Sequence, residues 1–418
     1  MSATSLLTEL GRQAQDAKYV LEHAPAEQVC GAILKIADFL EERLDVILDA
    51  NRQDIALAEK NKKPAAFIDR LKLSEARVKA VASSVRDVAA QDNPLGEILE
   101  ERERPNGLLI RKVRVPLGVI GMIYESRPNV TIDAAALCLK SHNCVILRGG
   151  SDSLNSNAAL HECVNDALKL SDLPPHCVQF VHSADREHVG DMLAAVDYID
   201  ALIPRGGKGL TERVIAEAKM PVFAHLDGIC HVYIDLSVKP EIARTVPLNA
   251  KMRRTGICGA AETLLLHQDL PHPLKKDILN ILIKAGCTLR GDEIICGLDR
   301  RIEPANEEDW GTEYLESVLS VKCVADVEEA ISHINNYGSH HTDSVLAEAP
   351  EVVDLFLAKV DSAIVMHNTS TQFADGGEFG MGAEIGISTG RMHARGPVGV
   401  KELTTYKYHV LGTGQIRV

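Results

Sequence analysis

From residue 119 onward the chain alternates short apolar runs with stretches of helical length, and this alternation narrows the possible folds more than any other feature. Apolar runs occur at 119–123, 144–147, 178–181, 201–203 and 222–224, separated by segments such as 153–170 and 186–195. The pattern predicts strands joined by helical, right-handed crossovers, and therefore a mostly parallel sheet. A second alternating set follows at 231–235, 262–266, 318–324, 344–347 and 363–367, with 225–230 as the candidate boundary between the two. The first hundred residues read as helices instead. There Ile33, Ile36, Leu40, Leu44 and Ile47 recur at helical spacing, with Glu41, Glu42 and Arg43 on the other face.

Two segments lie outside both sets. Residues 107–115 alternate basic and apolar side chains from Ile110 on, and 404–411 alternate again. Each predicts a strand with one wet face. Two such strands apart from the main sheets suggest an arm that pairs with another subunit. A chain of 418 residues is too long for one average domain, so two domains and a smaller appendage are expected.

Composition removes several functions. The chain is 45% hydrophobic and 25% charged with a formal net charge of −14, which argues for an ordinary globular protein and against a broad nucleic-acid-binding face. No apolar run reaches membrane-spanning length, and the first ten residues lack a secretory pattern. The ten cysteines are scattered, as expected for reduced thiols in a cytoplasm. With neither Cys-x-x-Cys nor His-Glu-x-x-His present, no metal is expected. There is no Gly-x-Gly-x-x-Gly after an expected strand, and Gly207-Lys208 lacks the upstream glycine of a P-loop.

The strongest local signal is the stretch from Asn249 to Thr263. Cys258 lies there between glycines, in a loop leading to an expected strand, with Arg253 and Arg254 near enough in sequence to favour a thiolate. The second signal is at 118–129, where an apolar strand runs into a turn that delivers the amide of Asn129 beside Pro128. An amide N–H in such a place can stabilise an oxyanion. Because ligands of parallel sheets bind at the carboxyl ends of strands, Arg148-Gly149-Gly150 and Arg205-Gly206-Gly207-Lys208-Gly209 are the candidate ligand loops.

Together these segments resemble the aldehyde dehydrogenase superfamily over nearly the whole chain. The order is a strand ending in Pro128-Asn129, then Asn143–Arg148, the cysteine loop, Glu313 before an apolar strand, and a glycine-rich stretch at 376–390. The wording of SRPNV at 126–130, KMRRTGICGA at 251–260 and TGRMHARGPVG at 389–399 is similar to the branch that reduces gamma-glutamyl phosphate. The resemblance implies an α/β fold of two parallel-sheet domains with a β-hairpin oligomerisation arm. Residues 1–103 and 117–228 would form the cofactor-binding domain, with 386–403 returning to it. Residues 229–385 would form the catalytic cysteine domain, and 104–116 with 404–418 the arm.

Carried over by position, the resemblance makes Cys258 the nucleophile and Asn129 the oxyanion amide. Arg148 takes the place of a lysine that holds the adenosine ribose, and Glu313 that of the glutamate on the nicotinamide ribose; Gly206 and Gly207 join the cofactor site. Arg253 and Arg254 are candidates for the substrate's phosphate or carboxylate, with a structural ion pair as the alternative. Ser151 stands where NAD-preferring relatives carry a glutamate. A carboxylate there would repel a 2′-phosphate, so NADPH is expected. Hydrolytic relatives also place a water-activating glutamate about thirty residues before the cysteine. Here His225 and Asp227 occupy that stretch, as suits a reductase that needs no water. The implied reaction takes L-glutamate 5-phosphate to L-glutamate 5-semialdehyde through a Cys258 thioester, in proline biosynthesis. The implied enzyme is a cytoplasmic homo-oligomer with glutamate 5-kinase as its functional partner. The alternative is another acylating aldehyde dehydrogenase, dependent on CoA or phosphate.

Overall fold

The computed structural model describes residues 3–417, and the chain divides into two compact units. The first comprises Met1–Ala224, Gly380–Gly386 and Val398–Val418, and the second His225–Phe379 and Ile387–Pro397. No helix among the described residues is long and apolar enough to cross a membrane.

The first unit contains three antiparallel strands and a four-stranded parallel sheet. Its early strands are β1 (Ile98–Glu103), β2 (Leu109–Pro116), β3 (Val119–Tyr124), β4 (Cys144–Arg148), β5 (Val178–Phe180) and β6 (Ala201–Arg205). The parallel sheet has the order β5-β4-β3-β6. Every residue of β3 and β4 is buried, as helices on both faces require. The helix Val130–Lys140 that joins these two strands is itself buried at all but one position. The chain steps from β3 outward to β5 and then returns to β6 on the other side of β3. The order therefore reverses between β3 and β6, and the carboxyl ends of those strands flank the crevice where doubly wound sheets take ligands. Residues 222–224 do not form the expected strand. Val222 makes one parallel bridge to Leu202, because Pro221 has no N–H with which to extend the ladder.

The periodic residues of the first hundred fall on two helices rather than one. Ala26–Glu42 and Leu44–Lys60 part at Arg43, which sits at φ −105° and ψ 22°. Ile33, Ile36, Leu40 and Ile47 are fully buried, whereas Leu44 is only half-buried at the break.

The arm is a sheet of three strands, one more than the expected hairpin. A terminal strand, Thr404–Leu411, pairs antiparallel with β2 from Thr404↔Pro116 to Leu411↔Leu109, and β1 pairs with the other edge of β2. Arg114 fastens the arm, donating through Nε to Glu97 (2.9 Å) and through a terminal nitrogen to Thr404 Oγ1 (2.8 Å). All of β1 is exposed, and so are Tyr406, Tyr408, Val410 and Leu411 on the terminal strand.

The second unit holds a seven-stranded sheet whose pairs are all parallel. Its strands are β7 (Cys230–Ile234), β8 (Ala261–His267), β9 (Thr288–Gly291), β10 (Glu303–Pro304), β11 (Val318–Val324), β12 (Thr342–Leu346) and β13 (Ile364–His367), in the order β10-β9-β11-β8-β7-β12-β13. Val232, Ile234, Leu264 and Leu266 face one apolar core, and Tyr233, Leu265 and Val345 face another. A fully buried carboxylate stands among them: Asp343 on β12 accepts both the backbone N–H of His231 (2.8 Å) and Ser362 Oγ.

β3 is positioned by Gly118. Its φ of +133° is open to glycine, and a Cβ there would fall 2.1 Å from Asp200 Oδ2, the oxygen that accepts the N–H of Val119 at 2.8 Å. Gly118→Ala should therefore destabilise the protein by about 1–3 kcal/mol. Thermal unfolding would check this; an unchanged midpoint would refute the account of the turn.

Candidate active site

Three neighbouring strands of the second unit, β8-β7-β12, receive three loops at their amino ends. These loops bring together His225 from the segment leading into β7, Cys258 from the segment leading into β8, and His341 directly before β12. The Cys258 sulfur and one nitrogen from each imidazole lie within 4.8 Å of one another. Cys258 and His225 are half-buried, and His341 is wholly buried.

Each ring is oriented from behind. His225 Nδ1 lies 2.7 Å from the carbonyl oxygen of Ile387, so it carries the proton and donates it. His341 Nδ1 is 2.9 Å from Thr342 Oγ1, while its Nε2 is buried with no hydrogen-bond partner. Burial, aided by the charge of His225, pushes the His341 pKa down to about 3 and keeps that ring neutral. The sequence reading did not single out His341. Its only sequence signal is a pair of histidines shortly ahead of the run at 344–347.

The cysteine loop is gripped closely. A Cβ on Gly228 would lie 2.1 Å from the carbonyl oxygen of Cys258, so only glycine allows the two backbones to meet. The N–H of Gly228 donates to Glu313 Oε1 at 2.8 Å, and the buried Cys230 thiol donates to the carbonyl of Cys258 at 3.1 Å. Burial holds the Cys230 thiol well above its usual range, which keeps it a neutral donor. Gln372 holds the entry to the loop through its amide, which donates to the carbonyls of Ala250 (2.8 Å) and Arg254 (3.0 Å). Arg253 and Arg254 are exposed, and among the described residues neither forms an ion pair with a carboxylate.

Beneath the loop Lys251 Nζ meets Glu262 Oε2 at 2.5 Å, both side chains completely buried. Burial pushes the Glu262 carboxyl up to about 7, against the pull of Lys251. Its other oxygen accepts the N–H of Leu315 at 3.2 Å, on the segment that carries Glu313.

In the first unit Asn129 precedes the helix Val130–Lys140 and donates through Nδ2 to Asp133 Oδ2 at 2.8 Å. That bond fixes the amide plane and leaves a second N–H. Burial pushes the Asp133 carboxyl up to about 6, opposed by the Asn129 bond and by Arg205. Asp133 is a contact that the sequence reading missed, although its i+4 spacing from Asn129 on a helix was available.

Arg148 ends β4. It is buried, donating to the carbonyls of Gly149 and Asp185, both at 3.1 Å, and its Nε has no partner. Burial and the charge of Arg186 both push its pKa down. Ser151 follows at an exposed turn, and the carboxylate next to it, Asp152, is neutralised by Lys63 at 3.2 Å. Gly206 and Gly207 lie between β6 and the helix Lys208–Glu217, at the point where the strand order reverses. The N–H of Gly207 donates to Glu125 Oε2 at 2.9 Å. A buried guanidinium with an unused donor, beside a small hydroxyl and a glycine turn, fits a polyanionic nucleotide.

The chain matches the model of the aldehyde dehydrogenase family over residues 5–284. It is 54% identical over 414 residues to the gamma-glutamyl phosphate reductase of Brucella suis biovar 1, an alignment covering 99% of this chain and 98% of that one. The gamma-glutamyl phosphate reductase of Mesorhizobium japonicum is 51% identical, with 99% and 97% covered. The crystal structure of the Thermotoga maritima gamma-glutamyl phosphate reductase superposes with a TM-score of 0.96 at 42% identity, covering 99% of this chain and 100% of that one. The two-sheet fold implied by the sequence motifs is thus the fold observed.

Removing one member of the buried pair strands the other charge. Lys251→Met should cost about 3–5 kcal/mol, and the double change with Glu262→Leu should recover most of it. Denaturant midpoints of the two variants would measure this. A double variant no more stable than the single would show that the pair is not coupled.

Proposed function

We propose that this chain, which belongs to the aldehyde dehydrogenase family and within it to the gamma-glutamyl phosphate reductases, uses NADPH to reduce L-glutamate 5-phosphate to L-glutamate 5-semialdehyde and phosphate in proline biosynthesis. The observation that carries the reading is the surroundings of Cys258: a half-buried thiol grouped with two imidazoles. A thiol so surrounded can act as a nucleophile.

The Cys258 thiolate attacks the acyl carbon of the substrate. Asn129, its amide plane fixed by Asp133, holds the developing oxyanion together with the backbone N–H of Cys258. Phosphate departs as a good leaving group and a thioester remains on Cys258. The nicotinamide cofactor, when bound, supplies the hydride that takes this thioester to the aldehyde level. The resulting thiohemiacetal on Cys258 collapses, returning the thiolate and releasing the semialdehyde. Arg253 and Arg254, exposed and without carboxylate partners among the described residues, hold the phosphate or the α-carboxylate of the substrate.

Arg148, Ser151, Gly206 and Gly207 would hold the nucleotide, and Glu313 the nicotinamide ribose. One Glu313 oxygen already receives Gly228, so the same carboxylate would tie the ribose to the cysteine loop. Preference for NADPH is supported by Arg148, whose Nε has no hydrogen-bond partner, and by the pairing of Asp152, the carboxylate next to Ser151, with Lys63. Among the described residues no disulfide joins two cysteines, as suits a reducing cytoplasm. Glutamate 5-kinase is the partner in function, because the acyl phosphate has to be supplied.

The reaction is tested in reverse: pyrroline-5-carboxylate should support reduction of NADP only when phosphate is present. Activity with CoA in place of phosphate would overturn the substrate assignment. Cys258→Ser should fold normally yet lose at least about a hundredfold in rate, an alcohol being the weaker nucleophile at neutral pH. Retention of a substantial rate would remove Cys258 from the chemistry. Ser151→Glu should raise the KM for NADPH through repulsion of its 2′-phosphate while sparing NADH. Equal weakening of both cofactors would reduce Ser151 to a structural role.

The arm supports assembly. Its exposed Tyr406, Tyr408 and Val410 and its two outer edges, unpaired among the described residues, suit pairing with another copy of the chain. Deletion of residues 405–418 should convert a homo-oligomer into monomer or aggregate with little activity. Sedimentation decides, and an intact chain that is fully active as a monomer would refute it.

A further inference from the structure

The cluster of His225, Cys258 and His341 has a capacity that reduction of an acyl phosphate does not use. We propose that it binds a divalent transition-metal ion of the zinc class, and that the bound ion holds Cys258 in an inactive form.

The donor set is one thiol and two imidazoles, the combination that zinc selects. All three donor atoms lie within 4.8 Å of one another. Tetrahedral zinc, with bonds of about 2.0–2.3 Å, separates its donors by roughly 3.3–3.6 Å, so the set has only about 1 Å to close around the ion. An independent observation points to a ligand here. His341 is 0% exposed and its Nε2 makes no hydrogen bond, an arrangement that leaves a buried ring nitrogen unsatisfied. The rings are also braced as metal-bound imidazoles are, His225 by the carbonyl of Ile387 at 2.7 Å and His341 by Thr342 Oγ1 at 2.9 Å. Three protein donors leave a fourth position for water.

As the metal–sulfur bond forms, the Cys258 proton passes to solvent, and neither metal nor sulfur changes oxidation state. The sulfur lone pair that would attack the acyl carbon is then committed to the metal. Inhibition rests on the proposed role of Cys258, but binding does not.

The test is titration of the chelator-treated full-length protein with Co2+, which reports thiolate ligation by charge-transfer absorption. One equivalent per chain should saturate the band, and Zn2+ should bleach it. Cys258→Ser should lack the band. His341→Gln and the half-buried His225→Gln should each bind Co2+ at least about tenfold more weakly. Should His341→Gln fail to fold, His225→Gln carries the test. A wild-type protein without a saturable band, or a His225→Gln variant that binds as tightly as wild type, overturns the proposal. Zn2+ should also abolish turnover, and a chelator should restore it. Zinc bound at this cluster with turnover unchanged would uphold the metal site and overturn Cys258 as the nucleophile.

Discussion

The buried pair of Lys251 and Glu262 is the constraint on which the second unit depends. The two residues stand at the end of one helix and the start of β8, and the irregular loop carrying Cys258 runs between them. Residues 253–260, without regular structure, would otherwise sample many conformations, at about 1–2 kcal/mol of backbone entropy each. The ion pair fixes both ends of the loop, and Gln372 fixes its first turn through two carbonyls. Through its second oxygen Glu262 also anchors Leu315, and so the segment that carries Glu313. A buried pair of this kind contributes little net stability, because desolvation offsets the attraction. Its contribution is geometric: it makes one arrangement of the loop far better than its neighbours.

The two sheets put their chemistry at opposite ends of their strands. In the first unit Arg148, Gly206 and Gly207 lie at the carboxyl ends of β4 and β6, beside the reversal in strand order. In the second, His225, Cys258 and His341 precede β7, β8 and β12. Strands of a parallel sheet start together at one edge, so residues far apart in sequence become neighbours when each lies just ahead of an adjacent strand. His341 reaches Cys258 by this route.

The sequence made the parallel sheets legible because their central strands are uninterrupted apolar runs. It hid the strands stabilised in other ways. β1 is Ile-Leu-Glu-Glu-Arg-Glu, whose charges are balanced across the arm, as where Arg111 meets Glu101 at 2.6 Å. β9 carries Thr288 and Arg290 and is short, so it has no periodic signature, and Pro221 stands ahead of a run that otherwise looks like a strand. For the site, Cys258 and Asn129 were marked by glycine and proline neighbours. Asp133, Gln372 and His341 were not, because their relation to the site is one of folding: a helical turn, a buried amide and a strand neighbour. Motif reading finds groups held in unusual local backbone; it misses the ordinary residues that brace them.

The first unit is not continuous in the chain. Asn143, just ahead of β4, donates to the carbonyl of Leu403 at 2.7 Å across 260 residues, and Arg114 reaches Thr404 across 290. The whole second unit is written between the two ends of these contacts. During synthesis the parallel sheet of the first unit can form early, but the terminal strand of the arm pairs only after the second unit has emerged and has had time to fold. Until then β2 has one open edge, on a chain still growing. The interruption thus sets an order of events: the unit that carries Cys258 closes first, and the arm is completed last.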